Sequence, residues 1–201
     1  MAQYESIFEA IVNDDDVGVQ YWIDRGVVNR PDWIGSSPLD CAVGKNNVDI
    51  VKMILAAGGR STSMVSVLWL AVDADGDDLT ILQLLFDQGY RKFTPQDEPI
   101  ADASLCDKNN KLRFLLEHFK LDVDHCTIIK GRNGLYHAVH NNNADNVHLL
   151  LKHGADPELI VEYNVLDNKE LPIIEYAHQF RPQMYNIIRN FGDTLTKRAR
   201  P

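Results

Sequence analysis

The sequence predicts an all-α solenoid of about six stacked helix-turn-helix units, and three observations carry that expectation. Residues 131–158 read GRNGLYHAVHNNNADNVHLLLKHGADPE: Leu135 and Ala138 share one helical face, and after a polar break Val147, Leu149, Leu150 and Leu151 form a second apolar run. His153-Gly154 followed by Ala155-Asp156-Pro157 ends the second run, since glycine adopts the left-handed conformation at a helix C-terminus and proline cannot continue the helix. The unit then recurs upstream, where 16 residues separate Ala42 from Gly58 as they separate Ala138 from Gly154.

In that upstream copy, Ser37-Pro38-Leu39-Asp40-Cys41-Ala42 is followed by Ile50-Val51 and Met53-Ile54-Leu55. This pattern resembles the ankyrin repeat, a unit of about 33 residues with the core T-P-L-H-x-A. The resemblance implies helical pairs stacked on their neighbours, with β-hairpin loops projecting from the stack and a concave surface that binds protein partners. The expected repeats are about 1–30, 31–60, 61–93, 94–127, 128–158 and 159–195, in one domain with a short basic tail at 196–201.

The first repeat has the character of a terminal cap. Ile7, Ala10 and Ile11 supply the inner helix, and Val19, Tyr21, Trp22 and Ile23 the outer one, with Gly26 again 16 residues after the alanine. Asp14, Asp15 and Asp16 fall where the outer helix begins, a place its dipole favours for carboxylates. Trp33 and Ile34 then fall at the tip of the next loop, either packed on the neighbouring loop or presented as a partner anchor.

The third repeat keeps the periodicity without the core motif, through Leu68 to Ala71 and then Ile81 to Phe86. Its alanine-to-glycine distance is 18, so two residues are inserted within Asp73-Ala74-Asp75-Gly76-Asp77-Asp78. A calcium-binding EF-hand would need glycine sixth and glutamate twelfth, where this chain has Asp78 and Leu84. A solvated acidic turn is the expected outcome. In the fourth repeat Phe119 replaces the closing glycine, so Lys120 to Asp124 must turn the chain by other means. The fifth has Gly134 for the proline and Asn146 where an apolar residue belongs. Counting 20 residues from Pro172 to Gly192, as from Pro38 to Gly58, puts Tyr176 at the alanine position unless Ala177 takes over.

Of 201 residues 45% are hydrophobic, enough for a folded core, and no basic leader or long apolar run points to secretion or a membrane span. Cytoplasmic location is the expectation. Cys41, Cys106 and Cys126 have no metal-site spacing and read as buried thiols. Net charge is −9, with residues 1–60 carrying nine acids against five bases, residues 61–124 twelve against six, and residues 125–201 eight against nine. Such a surface repels nucleic acid and anionic membranes, and suits a basic protein partner.

No paired catalytic groups, phosphate loop or cofactor motif is evident. His137, His140, His148 and His153 accompany no metal-ligand pattern and read as polar side chains facing solvent. Carried across from the family's usual contact positions, the resemblance implies partner binding by Trp33, Ile34, Ser36 and Lys45, then Thr62, Ser63, Val65 and Asp73, then Thr94, Asp97 and Cys106, then Ile129, Lys130, Arg132, His140 and Asn141. Asp75, Asp77 and Asp78 join Asp73 as steering charges, and Trp33 and Arg132 are the expected anchors. The functional expectation is a non-enzymatic interaction module that masks or tethers a protein, in the manner of a stoichiometric inhibitor, an immunity-type neutraliser or an effector. A small enzyme or a calcium-binding protein built on the array is the alternative.

Overall fold

The computed structural model describes residues 4–64, 66–126, 132–164 and 169–198, so Val65, Ile129 and Lys130 lie outside the described residues. Contacts gather into an N-terminal unit, Met1–Asp97, and a C-terminal unit, Glu98–Pro201.

In the N-terminal unit, short helices alternate between two rows. The inner row is α1 (Ile7–Val12), α3 (Pro38–Gly44) and α5 (Val67–Asp73); the outer is α2 (Asp16–Ile23), α4 (Val48–Ala56) and α6 (Thr80–Asp87). α3 packs on both α1 and α5, and α4 on both α2 and α6. Local chemistry starts these helices: the side chains of Ser6, Asp15, Ser37 and Asn47 each accept a hydrogen bond from a first-turn backbone N–H. Asp15 thus serves the outer-helix start that the acidic run predicts.

Between inner and outer helix the chain must reverse sharply. Asp14, Asn46, Asp107 and Asn142 do this at positive φ, a region their short polar side chains tolerate. At the other end of each pair glycine takes over, as at Gly58, φ 79°, whose N–H bonds the Leu55 carbonyl. Ile50, Val51 and Ile54 point inward and are fully buried. Leu55, assigned to the core by pattern, lies a position further round the helix and is only half-buried. Cys41 is likewise half-buried and Cys106 exposed, so the thiols are not uniformly core residues.

The C-terminal unit has an inner row α7 (Pro99–Leu105), α9 (Gly134–His140) and α11 (Ile173–Phe180), and an outer row α8 (Asn109–His118), α10 (Ala144–Lys152) and α12 (Pro182–Arg198). α9 packs between α7 and α11, and α10 between α8 and α12. Gly134 fits where the motif has proline because a Cβ there would lie 2.7 Å from Ile100 Cγ2, so α7 and α9 meet with no side chain between them. Phe119 ends α8 without a left-handed residue: at φ −118° and ψ 145° the backbone simply leaves in extended form, and its buried ring packs edge-on to Phe114 at 6.2 Å.

Strands β1 (Ile160–Asn164) and β2 (Lys169–Pro172) form an antiparallel hairpin, with Val161 opposite Leu171. Among the described residues this is the one paired hairpin. Elsewhere side chains hold the loops, as where Asp32 Oδ1 accepts from the N–H groups of Ile34 and Ser36 at 3.0 and 2.9 Å. In the last repeat both Tyr176 and Ala177 are buried, so the alanine keeps the tight contact and the tyrosine packs beside it. Gly192 is not a helix stop. α12 runs through it and takes in the start of the basic tail as far as Arg198.

Candidate partner-binding surfaces

In the N-terminal unit the loop tips are apolar and open. Trp33 is 94% exposed, Ile34 64% and Met64 97%. Trp33 is therefore not packed on its neighbouring loop. The two loops are joined where Thr62 Oγ1 donates to the Gly35 carbonyl at 3.0 Å, so Ile34 and Met64 flank one junction. Met64 was not singled out by sequence; only its loop position beside Val65 could have flagged it.

Asp40, standing where the repeat core has histidine, holds this junction in place. Its buried Oδ2 accepts from Ser37 N–H and Oγ, at 2.9 and 2.8 Å, and from the N–H groups of Thr62 and Ser63, at 3.3 and 3.2 Å. A carboxylate accepting several N–H bonds can anchor a loop that histidine, with fewer acceptor sites, would hold differently.

The remaining candidates divide by exposure. Lys45 is exposed at the end of α3, and Ser36 is half-buried. Asp73, Asp75 and Asp78 are exposed and Asp77 half-buried, as expected of a solvated turn. Asp78 also accepts from Thr80 N–H at 2.8 Å, and Asp75 offers its carbonyl to Asn46 Nδ2 at 3.2 Å. Among the described residues no three His, Cys, Asp or Glu groups gather where a metal ion could be held. Asp97 is buried, its carboxylate closing a turn on Thr94 N–H at 2.6 Å, so it presents no side chain to a partner.

The C-terminal unit gathers its candidates into a bonded aromatic cluster. The Arg132 guanidinium lies 5.5 Å from the Tyr136 ring, and Arg132 Nε donates to the Glu162 carbonyl at 2.9 Å. His140 Nδ1 and Tyr176 Oη are hydrogen-bonded at 2.7 Å, while Arg181 Nε donates to the His140 carbonyl at 2.8 Å. Tyr176 stands 5.1 Å from both Tyr136 and Phe180, and 5.9 Å from Tyr163. Asn141 bonds the Leu105 carbonyl at 2.9 Å. Burial and the Arg181 and Arg132 charges lower the His140 pKa, and burial first, then His140 and Arg132, brings His137 to about 4. Burial and neighbouring Tyr136 push Tyr176 to about 12. His137, His140 and Tyr176 are therefore uncharged at neutral pH. His137 is half-buried rather than solvent-facing, whereas His140 is exposed.

Comparison with known proteins agrees with this architecture. The family profile for ankyrin repeats, in three copies, matches residues 68–160, and that for a single ankyrin repeat matches residues 34–64. The human transient receptor potential cation channel subfamily A member 1 is 27% identical over 83% of this chain and 12% of its own length. Ankyrin repeat protein nuc-2 of Neurospora crassa is 26% identical over 75% of this chain and 14% of its own. The chain thus spans a small part of these relatives. Among solved structures, an ankyrin repeat protein, EF0377, superposes with a TM-score of 0.73 at 20% identity, covering 93% of this chain and 98% of that one. The ankyrin repeat domain of Bcl-3 gives 0.69 at 20%, covering 96% and 87%. Ankyrin repeats are in general protein–protein interaction modules rather than enzymes. With its paired helices, its glycine-closed turns and these matches, the chain belongs to the ankyrin repeat family.

Proposed function

We propose that this chain is a non-enzymatic binding module that masks a basic protein partner, in the manner of a stoichiometric inhibitor or neutraliser, and that it acts in the cytoplasm. One observation carries the reading: Trp33, Ile34 and Met64 stand open at adjoining loop tips of a unit, residues 1–97, with fifteen acids and seven bases, net −8. Exposed aromatic and thioether side chains supply contact area, and the acidic field raises the encounter rate with a cation-rich surface. A backbone held by caps and buried helices loses little ordering entropy on binding.

Photo-crosslinking in the native host tests it. A photoreactive residue placed at position 33, 34 or 64 is expected to capture one basic protein, with yield falling as salt is raised. The same residue at exposed Lys52 on the outer row should capture far less. Equal yields at all positions, or capture of an acidic protein, would overturn the reading.

A further inference from the structure

Beside the tips lies a groove of about 370 Å³ whose lining includes Phe8, Trp22, Pro31 and Trp33 together with Glu5, Arg30 and Asp32. We propose that this groove receives one bulky apolar side chain, carried on an extended basic segment of the protein partner. The inference rests on the tip-binding reading and adds to it the chemistry of the segment bound.

Size argues for a single side chain and its backbone. The volume is near the lower end of the range for ligand pockets, about 300 to 1,000 Å³, and too small for a helix about 10 Å across. The aromatic and proline lining argues for an apolar group, since it offers dispersion contacts and almost no polar atoms. The charged lining argues for basic flanks. Its two carboxylates, Glu5 and Asp32, outnumber the one guanidinium, Arg30, within a unit of net −8, so lysine or arginine on either side is attracted and an acidic segment is repelled. Arg30 is left to meet backbone carbonyls. Trp22 supplies the last observation: its indole N–H is covered from solvent and has no hydrogen-bond acceptor in the protein. A small turn of that ring as the segment enters gives the N–H a carbonyl partner, an exchange that buried donors favour.

The test uses the full chain, labelled with nitrogen-15, and three blocked pentapeptides. The first has a central phenylalanine between lysines, the second glycine in its place, the third glutamates for the lysines. Indole N–H resonances of Trp22 and Trp33 are expected to shift saturably with the first peptide, and at least about fivefold more weakly with the others. Trp69, which does not line the groove, stays unmoved. Trp33→Ala should weaken the response about fivefold without loss of fold, its side chain being 94% exposed. Trp22→Phe keeps the ring, removes the donor, and should also weaken it. No shift at millimolar peptide, equal shifts with all three, or no effect of either variant would overturn the proposal. If the peptides fail while crosslinks at positions 33, 34 and 64 still find a basic protein, the groove is dismissed and the tip reading stands.

Discussion

Residues 1–97 and 98–201 are assembled from the same paired helices, yet they use their surface residues in opposite ways. The N-terminal unit leaves Trp33, Ile34 and Met64 unpacked at its loop tips and carries net −8. The C-terminal unit, with fourteen acids and thirteen bases, packs Tyr136 and Tyr176 against one another and ties Arg132, His140 and Arg181 into hydrogen bonds. One repeat pattern therefore supports open apolar loop tips in one unit and a self-bonded aromatic cluster in the other. Stacking depends on the buried helix positions, so exposed loop residues are free to differ.

The comparison can be broken at its shared core first. Leu150 in the C-terminal unit is fully buried and Leu55 in the N-terminal unit half-buried. Leu150→Ala is expected to cost about 2 to 5 kcal/mol and Leu55→Ala about 1 kcal/mol, read by chemical denaturation; equal costs would refute the assignment of Ile54 rather than Leu55 to the core. Next comes the loop anchor. Asp40→Ala leaves Ser37, Thr62 and Ser63 without their shared acceptor and should destabilise by about 2 to 3 kcal/mol, with hydrogen exchange rising at Thr62 and Ser63. Unchanged exchange there would show that the tips do not depend on Asp40.

Titration sharpens the difference. His137 has a pKa of about 4 in the folded chain against 6.5 for the free side chain, so the unfolded chain binds the extra proton between those values. Stability contributed by the neutral ring is complete above pH 6.5 and falls as pH drops toward 4, by about 2 kcal/mol once partial screening is allowed for. His137→Gln should flatten that part of the melting profile; an identical profile would contradict the burial argument. The smallest effect runs the other way. Asn146 is fully buried with neither amide atom hydrogen-bonded, and Asn146→Leu is expected to stabilise by about 1 kcal/mol. A loss of stability would mean the site cannot take the larger apolar group.

Periodicity made the stack legible because the apolar spacing and the closing glycines act locally, through burial and backbone conformation. Asn146 was visible as a breach of pattern, and in the fold its amide is buried with no hydrogen-bond partner. Gly192 misled because spacing cannot distinguish a glycine that ends a helix from one the helix simply passes through. The long-range features were hidden for a different reason. Nothing near Asp40 in sequence says that Thr62 and Ser63 return to it, although aspartate in place of the motif's histidine was a signal. The Tyr136, Tyr176 and Phe180 packing likewise joins residues about 40 positions apart, and only the fold brings them together. Sequence put Trp33 and Ile34 at a loop tip but left packing and exposure as alternatives, which the fold decides for exposure, whereas Asp97 was hidden because its carboxylate is committed to its own turn.

The claim on which the rest depends is that the acidic N-terminal unit binds through its open apolar tips. Its most direct measurement is association of the crosslinked partner, once purified, with the native chain and with Trp33→Ala, from about 0.05 to 0.3 M salt, where the screening length shortens from roughly 14 to 6 Å. The account predicts an association rate that falls at least about tenfold with salt for both chains, and an affinity reduced about thirtyfold or more by Trp33→Ala at unchanged melting temperature. A rate indifferent to salt, with Trp33→Ala binding as the native chain does, would contradict it.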